Sequence, residues 1–317
     1  MGNRKPKILV IVGSTASGKS ALAVKIAKKF NGEIISADSR QIYRGMDIGT
    51  GKVTKAKQKQ AKHWLIDIIS PKTNFSAAQF KELADKKIEE ILKRDKLPII
   101  VGGTGLYIKA VIDNLNIPEV APDQKLRKKL EKEIEKYGLD FVFKKLTNID
   151  PEAAYIIDPN NPRRVIRALE IAVKTTPTPK RVGASTGNVG EKPFSAQRKL
   201  GKSLFDFIEI GIKWPKNALN KRINKRVDLM IEEGLLEEVK NLVKKYGKKQ
   251  QSFDAIGYRE IINFLHKKIS IEETIELIKK NTRNYAKRQM TWFRKDQRIH
   301  WIRNEKESEK LVKNFLF

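Results

Sequence analysis

Apolar and polar positions in the first third of the chain follow two alternating periods. Short apolar runs, typical of buried strands, lie at residues 8–12, 33–37 and 97–101, and a further extended segment is predicted at residues 63–69. Helical spacing predicts helices at residues 19–30 and 77–93, with another helix opening at residues 102–107. Strands separated by helices favour an α/β fold, with a parallel sheet and helices on both faces.

The pattern changes after residue 118, where helical spacing continues without a strand. Residues 118–176 are therefore interpreted as an inserted all-helical domain, with its clearest helices at residues 123–137 and 162–174. A Pro-, Gly- and Thr-rich stretch follows, and residues 177–204 are predicted to form a loop or linker.

The last segment is predicted to complete the core. The apolar run at residues 207–212 predicts a strand that returns to the sheet. Helices are then predicted at residues 217–246, 252–266 and 271–296, and they form a helical C-terminal region. The core is thus expected to combine residues 1–117 with residues 205–317.

Composition excludes several kinds of site. The 317 residues contain no cysteine and three widely spaced histidines, which excludes disulfides and cysteine-ligated zinc and argues against a histidine-rich metal site. No apolar run is long enough to span a membrane, and no signal-peptide pattern opens the chain. A soluble cytoplasmic protein without a membrane partner is expected.

Net charge points to a polyanionic partner. Lys and Arg number 66 against 37 Asp and Glu, which gives +29. A surplus of this size suits nucleic acid. The alternative is a lysine-rich proteome that raises the charge of all its proteins, so the positions of the cations matter more than their sum.

A phosphate-binding motif directly follows the first predicted strand. Residues 13–20 read GSTASGKS and fit the pattern G-x-x-x-x-G-K-[ST] between a strand and a helix. Backbone N–H groups of such a loop converge on an anion, Lys19 would neutralise phosphate charge, and the Ser20 hydroxyl would reach Mg²⁺. The alternative is a glycine-rich turn with a solvated lysine. The members of the predicted site are Gly13, Ser14, Thr15, Ala16, Ser17, Gly18, Lys19 and Ser20.

Residues at the ends of the next strands suggest what the phosphate belongs to. Nucleotide-hydrolysing enzymes with this loop carry a second acid at a strand end, but the strand at residues 97–101 ends in Gly102, Gly103 and Thr104. This favours a phosphate that belongs to a substrate's leaving group. Asp38, at another strand end, is placed to accept a proton from a nucleophile. The alternatives for Asp38 are a turn cap or a Mg²⁺ ligand.

Two groups of arginines have anion-binding spacing. Arg222 and Arg226 lie four residues apart on one predicted helix face and are expected to clamp a diphosphate, unless that face is simply solvated. A second cluster in the insertion has Glu170 three residues after its last arginine, so ion pairing is its alternative role. That cluster consists of Arg163, Arg164 and Arg167.

The predicted helix at residues 271–296 carries the nucleic-acid signal. Aromatic residues interrupt its basic stripe, and this mixture of cations and aromatic rings suits phosphate contacts and base stacking. The alternative for Trp292 is a position in the core. The stripe consists of Lys280, Arg283, Lys287, Arg294 and Arg298.

Six segments taken together resemble the tRNA dimethylallyltransferase family, in the family's order and over nearly the whole chain. They are residues 13–20, 38–50, 101–107, 161–170, 255–260 and 286–294. The resemblance implies transfer of a dimethylallyl group from dimethylallyl diphosphate to N6 of the adenosine on the 3′ side of the anticodon, in tRNAs that read codons beginning with U.

The same resemblance implies a fold, partners and a cofactor. It implies a P-loop-kinase-like core, an insertion that closes on the anticodon stem-loop, a monomer, and Mg²⁺. The loop at residues 13–20 would hold the diphosphate of the donor, although the motif often gives the family an ATP-binding label. Alternative functions are a P-loop NTPase or kinase with RNA affinity, a transferase acting on free adenine nucleotides, and an RNA-binding protein with a vestigial loop.

Roles for individual residues also follow from the resemblance. Asp38, Thr15 and Arg222 would be catalytic, and Arg226 would join Arg222 over the diphosphate. Ser14 stands where the family commonly has proline, which changes loop stiffness but removes no donor. The residues expected to contact tRNA are Asp38, Ser39, Arg40, Gln41, Thr104, Arg127, Arg163, Arg164, Val165, Ile166, Arg167, Ala255, Ile256, Gly257, Tyr258, Arg259, Lys287, Arg288, Gln289, Trp292 and Arg294.

Overall fold

A six-stranded sheet forms the centre of the larger of two compact units in this computed structural model, which describes residues 5–118, 120–175, 202–266 and 268–317. The strands are β1 (Lys7–Gly13), β2 (Gly32–Ala37), β3 (His63–Trp64), β4 (Leu97–Gly102), β5 (Asp206–Ile212) and β6 (Ile299–Ile302). Their order is β3-β2-β4-β1-β5-β6, and every pair is parallel. The predicted α/β class with a parallel sheet is confirmed.

Helices account for most of the remaining described residues. In the first part of the chain they are α1 (Lys19–Lys29), α2 (Lys55–Gln60), α3 (Ala77–Leu92) and α4 (Gly105–Ile112). In the second unit they are α5 (Gln124–Tyr137), α6 (Leu139–Ile149), α7 (Pro151–Ile156) and α8 (Pro162–Thr175). The last part of the chain has α9 (Lys216–Glu232), α10 (Leu235–Tyr246), α11 (Tyr258–Leu265), α12 (Ile271–Phe293) and α13 (Glu305–Leu316).

Alternate residues of β1 face opposite sides of the sheet. Val10 packs in a cluster with α3 and α4, while Leu9 and Ile11 pack in a second cluster with α1 and α13. Burial on both faces explains why this strand reads as a continuous apolar run, and it confirms the expected helices on both sides of the sheet.

Glycines with positive φ divide two predicted helices. The helix predicted at residues 217–246 is broken at Gly234, where φ is +95°. The helix predicted at residues 252–266 is a short 3-10 helix, Gln251–Asp254, followed by a turn with Gly257 at φ +96° and then α11. Periodicity alone does not reveal such breaks, because the apolar spacing continues across them.

Two other regions differ from the prediction. Only His63–Trp64 of the predicted extended segment is a strand, because Leu65 and Asp67 adopt positive φ. At the other end, β6 and α13 were not predicted. The strand β6 is four residues long, too short to give a clear alternation, and it forms one edge of the sheet beside β5.

The second compact unit comprises Asp113–Lys202, of which residues 113–118, 120–175 and 202 are described. The four helices among its described residues enclose an apolar cluster that includes Leu130, Val142 and Leu169. The predicted insertion at 118–176 falls inside this unit, while residues 177–201 of the predicted linker lie outside the described residues. None of the helices in the described ranges has the length and apolar character needed to cross a bilayer.

Candidate active site

The loop between β1 and α1 curls through three positive φ angles. They are +147° at Gly13, +60° at Ala16 and +97° at Gly18. The Lys19 ammonium nitrogen donates to the Ser14 carbonyl oxygen at 2.6 Å. The cation expected to bind phosphate is thus turned back over its own loop.

Electrostatics place Asp38 in the same crevice as the loop cations. Burial is the largest influence on the pKa of Lys19 and lowers it. The Asp38 carboxylate raises this pKa, the Arg226 charge lowers it, and the resulting value is about 8. Burial also lowers the pKa of Arg226, again against the effect of Asp38. One carboxylate therefore acts on both cations, which is the convergence expected at the carboxyl ends of parallel strands.

Arg222 lies over the loop together with an aromatic residue that sequence reasoning missed. Its Nε donates to the Ala16 carbonyl oxygen at 2.9 Å, and its guanidinium lies 4.4 Å from the ring centroid of Trp214. The Trp214 indole in turn donates to the Ser17 carbonyl oxygen at 2.9 Å. Trp214 therefore orients Arg222 on the loop, and no local motif in the sequence signalled this.

Arg226 joins the loop at residues 13–20 to a second loop, which contains Gly51. Its Nη1 lies 3.4 Å from the Thr15 hydroxyl, and its Nη2 donates to the Gly51 carbonyl oxygen at 3.2 Å. Arg222 and Arg226 thus both contact the loop at residues 13–20 from α9, and their expected role as a diphosphate clamp stays a prediction.

The turn after β2 holds Asp38 beside the end of β4. The Asp38 carboxylate accepts from the Arg40 backbone N–H at 2.9 Å. The N–H of Ser39, between these two residues, donates to the Thr104 hydroxyl at 3.1 Å. The Arg40 guanidinium, which the resemblance implies contacts tRNA, donates to the carbonyl oxygen of Ser252 at 3.2 Å in this structure.

Gln289 connects α12 directly to the loop at residues 13–20. Its Oε1 accepts from the Thr15 N–H at 2.8 Å, and its Nε2 donates to the Gly103 carbonyl oxygen at 2.9 Å. A Cβ at Gly103 would overlap the Gln289 amide, so a larger residue there would require this amide to move. Gln289 is buried between the loop at residues 13–20 and the segment that follows β4, and the tRNA contact that the resemblance implies for it stays a prediction.

Residues 41–296 match the family model described as IPP transferase. The chain belongs to the IPP transferase family.

Relatives of this IPP transferase are similar over nearly its whole length. A protein of Acetivibrio thermocellus named tRNA dimethylallyltransferase is 46% identical, over 98% of this chain and 96% of the relative. One of Bacillus subtilis with the same name is 43% identical, over 95% and 92%. The crystal structure of a tRNA isopentenylpyrophosphate transferase from Bacillus halodurans is 41% identical, with a TM-score of 0.70 and coverage of 98% and 96%.

The face of α12 in this IPP transferase is positively charged. Arg294 follows the last residue of α12 as its cap, but Arg298 lies beyond the helix and pairs with Asp296 in the turn before β6, so it does not extend the predicted stripe. Trp292 is 36% exposed, and its indole lies where a Cβ at Gly105 would be. The exposed cations on or next to this face are Lys280, Lys287, Arg288, Arg294 and Lys295.

Several side chains expected on the tRNA surface are buried, and their contacts with tRNA stay predictions. Val165 and Ile166 pack in the apolar cluster of the insertion, and Ala255 and Tyr258 pack in that of the C-terminal helices. The buried side chains are Gln41, Val165, Ile166, Ala255, Tyr258 and Gln289, and the backbone of Gly257 is also buried. Arg163, Arg164, Arg259 and Lys287 are exposed.

Two arginines of the insertion pair with a buried carboxylate. The Arg127 guanidinium donates to both oxygens of Glu170, at 3.0 and 2.8 Å, and Arg167 also pairs with it. Burial raises the pKa of Glu170, but hydrogen bonds from Arg127, the Asp123 N–H and Arg167 outweigh it and lower the value to about 2. The ion pair considered for Arg167 from the sequence is present.

The residues around the loop fit Mg²⁺ bound mainly through substrate. Within the described ranges, no group of three or more His, Asp or Glu side chains could hold an ion by itself. Mg²⁺ commonly keeps several waters and binds through substrate phosphates with few protein ligands. The Ser20 hydroxyl, at the first turn of α1, would supply one such oxygen.

Proposed function

We propose that the chain transfers a dimethylallyl group from dimethylallyl diphosphate to N6 of the adenosine on the 3′ side of the anticodon, in tRNAs that read codons beginning with U. The observation that carries the proposal is the arrangement at the strand ends. The Arg226 guanidinium lies 3.4 Å from the Thr15 hydroxyl, and the turn that holds Asp38 is joined to Thr104, after β4, by the Ser39 N–H. Membership of the IPP transferase family supports it.

The loop side of the crevice suits the leaving group. As the bond between C1 of the donor and the diphosphate oxygen breaks, negative charge develops on that oxygen. Lys19, Arg222 and Arg226 are placed to stabilise this charge, and the Thr15 hydroxyl adds a donor. Bound Mg²⁺, with Ser20 as a ligand, would supply further neutralisation of the diphosphate.

The Asp38 side of the crevice suits the nucleophile. An adenine N6 amine is weakly nucleophilic because its lone pair is delocalised into the ring. As N6 forms its bond to C1, it loses one proton, and the Asp38 carboxylate accepts that proton. The products are N6-dimethylallyl adenosine, free diphosphate and one proton on Asp38, which is later released to solvent.

The RNA must deliver an unstacked base. A stacked adenine cannot enter a crevice between strand ends, so the target base is flipped out of the anticodon loop. The cationic face of α12 is suited to phosphate contacts, and the half-exposed Trp292 to base stacking.

We propose that the protein acts as a monomer.

Product analysis tests the proposal directly. The protein is incubated with Mg²⁺, dimethylallyl diphosphate and unmodified tRNA, and nucleoside digests are examined for a mass gain of one dimethylallyl group. Product with AMP but not with tRNA would establish the free-nucleotide alternative. Turnover of ATP in the absence of an isoprenyl donor would favour the NTPase alternative.

A variant of Asp38 tests its role. Asp38→Asn is expected to lower kcat by about a hundredfold or more while tRNA affinity is retained. Asp206→Asn is the matched control, because Asp206 is exposed at the opposite, amino end of β5. An Asp38→Asn variant with unchanged turnover would remove Asp38 as the proton acceptor.

A further inference from the structure

Glu238, on α10, accepts four hydrogen bonds from groups distant in sequence. Three come from consecutive backbone N–H groups of Asp47, Ile48 and Gly49, at 2.9, 2.8 and 3.1 Å. The fourth comes from the Tyr258 hydroxyl at 2.6 Å. An ionised carboxylate only accepts, and bonds to it are stronger than bonds between neutral groups, so Glu238 constrains three successive residues at once.

Tyr258 secures the same loop from the opposite direction. Its side chain is fully buried, and its ring packs so closely on Gly49 that a Cβ there would lie 2.5 Å from Cε2. Burial and the neighbouring Glu238 carboxylate raise the pKa of Tyr258 far above its ordinary value, so the phenol remains a donor. Glu238 and Tyr258 therefore act as one unit.

Residues 46–51, here named the 46–51 loop, are closed by their own bonds. The Thr50 hydroxyl donates to the Met46 carbonyl oxygen at 2.7 Å, and the Gly51 N–H donates to the Ile48 carbonyl oxygen at 2.8 Å. Met46 is buried in an apolar cluster that includes Leu235. A loop closed in this way moves as a unit, so its anchor also sets the position of Gly51.

The far end of the 46–51 loop contacts the diphosphate site. The Gly51 carbonyl oxygen accepts from Arg226 Nη2 at 3.2 Å, while the other terminal nitrogen of that guanidinium lies 3.4 Å from the Thr15 hydroxyl. A Cβ at Gly51 would overlap the guanidinium, so the contact is tight. Buried arginine needs such acceptors, because its charge is always present.

We propose that Glu238 is a positioning residue for the diphosphate site, which holds the 46–51 loop so that Gly51 places the Arg226 guanidinium beside Thr15. Tyr258 supports Glu238 in this role and thereby serves the diphosphate site. The inference rests on the proposed function, because that function assigns Arg226 to the leaving diphosphate.

Three variants and two measurements test the inference. Glu238→Gln and Tyr258→Phe are compared with Glu237→Gln, the neighbouring exposed residue that pairs with Lys240 on the surface. Calorimetry measures the affinity for inorganic diphosphate without tRNA, and steady-state kinetics give kcat and KM for each substrate. Glu238→Gln is expected to weaken diphosphate binding and raise KM for the donor about tenfold, and Tyr258→Phe about threefold, with KM for tRNA unchanged. Glu237→Gln is expected to match the wild type.

A double-mutant cycle separates positioning from a general loss of structure. In an Arg226→Ala background, Glu238→Gln is expected to have no further effect on diphosphate affinity, because its influence passes through Arg226. An equal effect in both backgrounds would overturn the inference, as would wild-type diphosphate affinity in folded Glu238→Gln. Circular dichroism monitors folding, and Tyr258→Phe carries the test if Glu238→Gln does not fold.

The same measurements separate this inference from the proposed function. A wild-type chain that binds no diphosphate would overturn the proposed function. A wild-type chain that binds diphosphate, with both Glu238→Gln and Tyr258→Phe unchanged, would overturn only the role of Glu238.

Discussion

The Lys19 ammonium nitrogen lies 2.6 Å from the carbonyl oxygen of Ser14, five residues earlier in the same loop. Because burial lowers the pKa of Lys19 to about 8, part of the population is neutral at mildly alkaline pH. A bound phosphate would add negative charge beside the amine and favour its charged form. Diphosphate binding and protonation of Lys19 are therefore linked.

We expect diphosphate binding at about pH 8.5 to take up a proton, and binding at about pH 6.5 to take up none at Lys19, which is already charged there. Calorimetry in two buffers with different ionisation enthalpies measures this uptake. Lys19→Met should abolish it, whereas Lys28→Met, at an exposed lysine of α1, should not. Equal heats in both buffers at the alkaline pH would contradict the prediction.

The same shift has a defined effect on the stability of the free protein. The pKa of Lys19 is about 8 in the folded chain and 10.5, its ordinary value, in the unfolded chain. Between these two pH values, the folded chain has released the Lys19 proton while the unfolded chain still binds it. The contribution of Lys19 to the free energy of unfolding therefore increases as pH rises through this window. Denaturant titrations of the wild type and Lys19→Met across the window measure the difference, and identical pH slopes would contradict it.

Removal of the Gln289 bridge should loosen the loop without exposing a charge. Gln289→Ala frees the Thr15 N–H and the Gly103 carbonyl oxygen, and we expect KM for dimethylallyl diphosphate to rise about tenfold. Gln297→Ala, at an exposed glutamine beyond α12, is the control. If KM for tRNA rose and KM for the donor did not, Gln289 would belong with the RNA contacts expected from the resemblance.

The positions of the residues around this crevice were predictable where they depend on local sequence. The loop at residues 13–20, the arginine pair on α9 and the position of Asp38 after β2 each follow from a spacing or a strand end. Trp214, Gln289 and Glu238 were not predictable from periodicity, because their partners lie about 190 to 275 residues away in the chain. Such contacts depend on how the elements pack, which no local pattern encodes.

The fold shows the same division. The buried strands β1, β2 and β4 were predictable because burial on both faces requires continuous apolar runs. The edge strand β6 was not, since it is short and His300 within it is exposed. The break at Gly234 depends on a backbone conformation that leaves the apolar spacing unchanged.

The cationic face of α12 should dominate the salt dependence of tRNA binding. Lys287→Ala combined with Arg294→Ala should weaken binding and reduce the slope of log K against log salt concentration by about 2, because each cation neutralises about one phosphate. The control pair Lys306→Ala and Lys310→Ala removes two exposed lysines of α13. An unaltered slope in the α12 variant would place the RNA elsewhere.

Glu170 should make the insertion sensitive to acid. Because hydrogen bonds from Arg127, the Asp123 N–H and Arg167 outweigh burial and lower the pKa of Glu170 to about 2, its stabilising contribution is complete above its ordinary value of 4.5. The contribution declines as pH falls from about 4.5 toward 2, since the unfolded chain takes up the proton first. Glu170→Gln should cost about 2 kcal/mol at neutral pH, because two arginines lose a buried anionic partner.

Hydrogen exchange on the full chain locates that loss. Amides of α5 and α8 should exchange faster in Glu170→Gln than in the wild type at neutral pH, and the difference should shrink as pH is lowered toward 2. Glu135→Gln, at an exposed position of α5, should leave exchange unchanged. Because both arginines were also expected to contact tRNA, tRNA affinity is measured in parallel. Faster exchange with unchanged tRNA affinity would assign the ion pairs to the stability of the insertion, whereas unchanged exchange would contradict a stabilising role for Glu170.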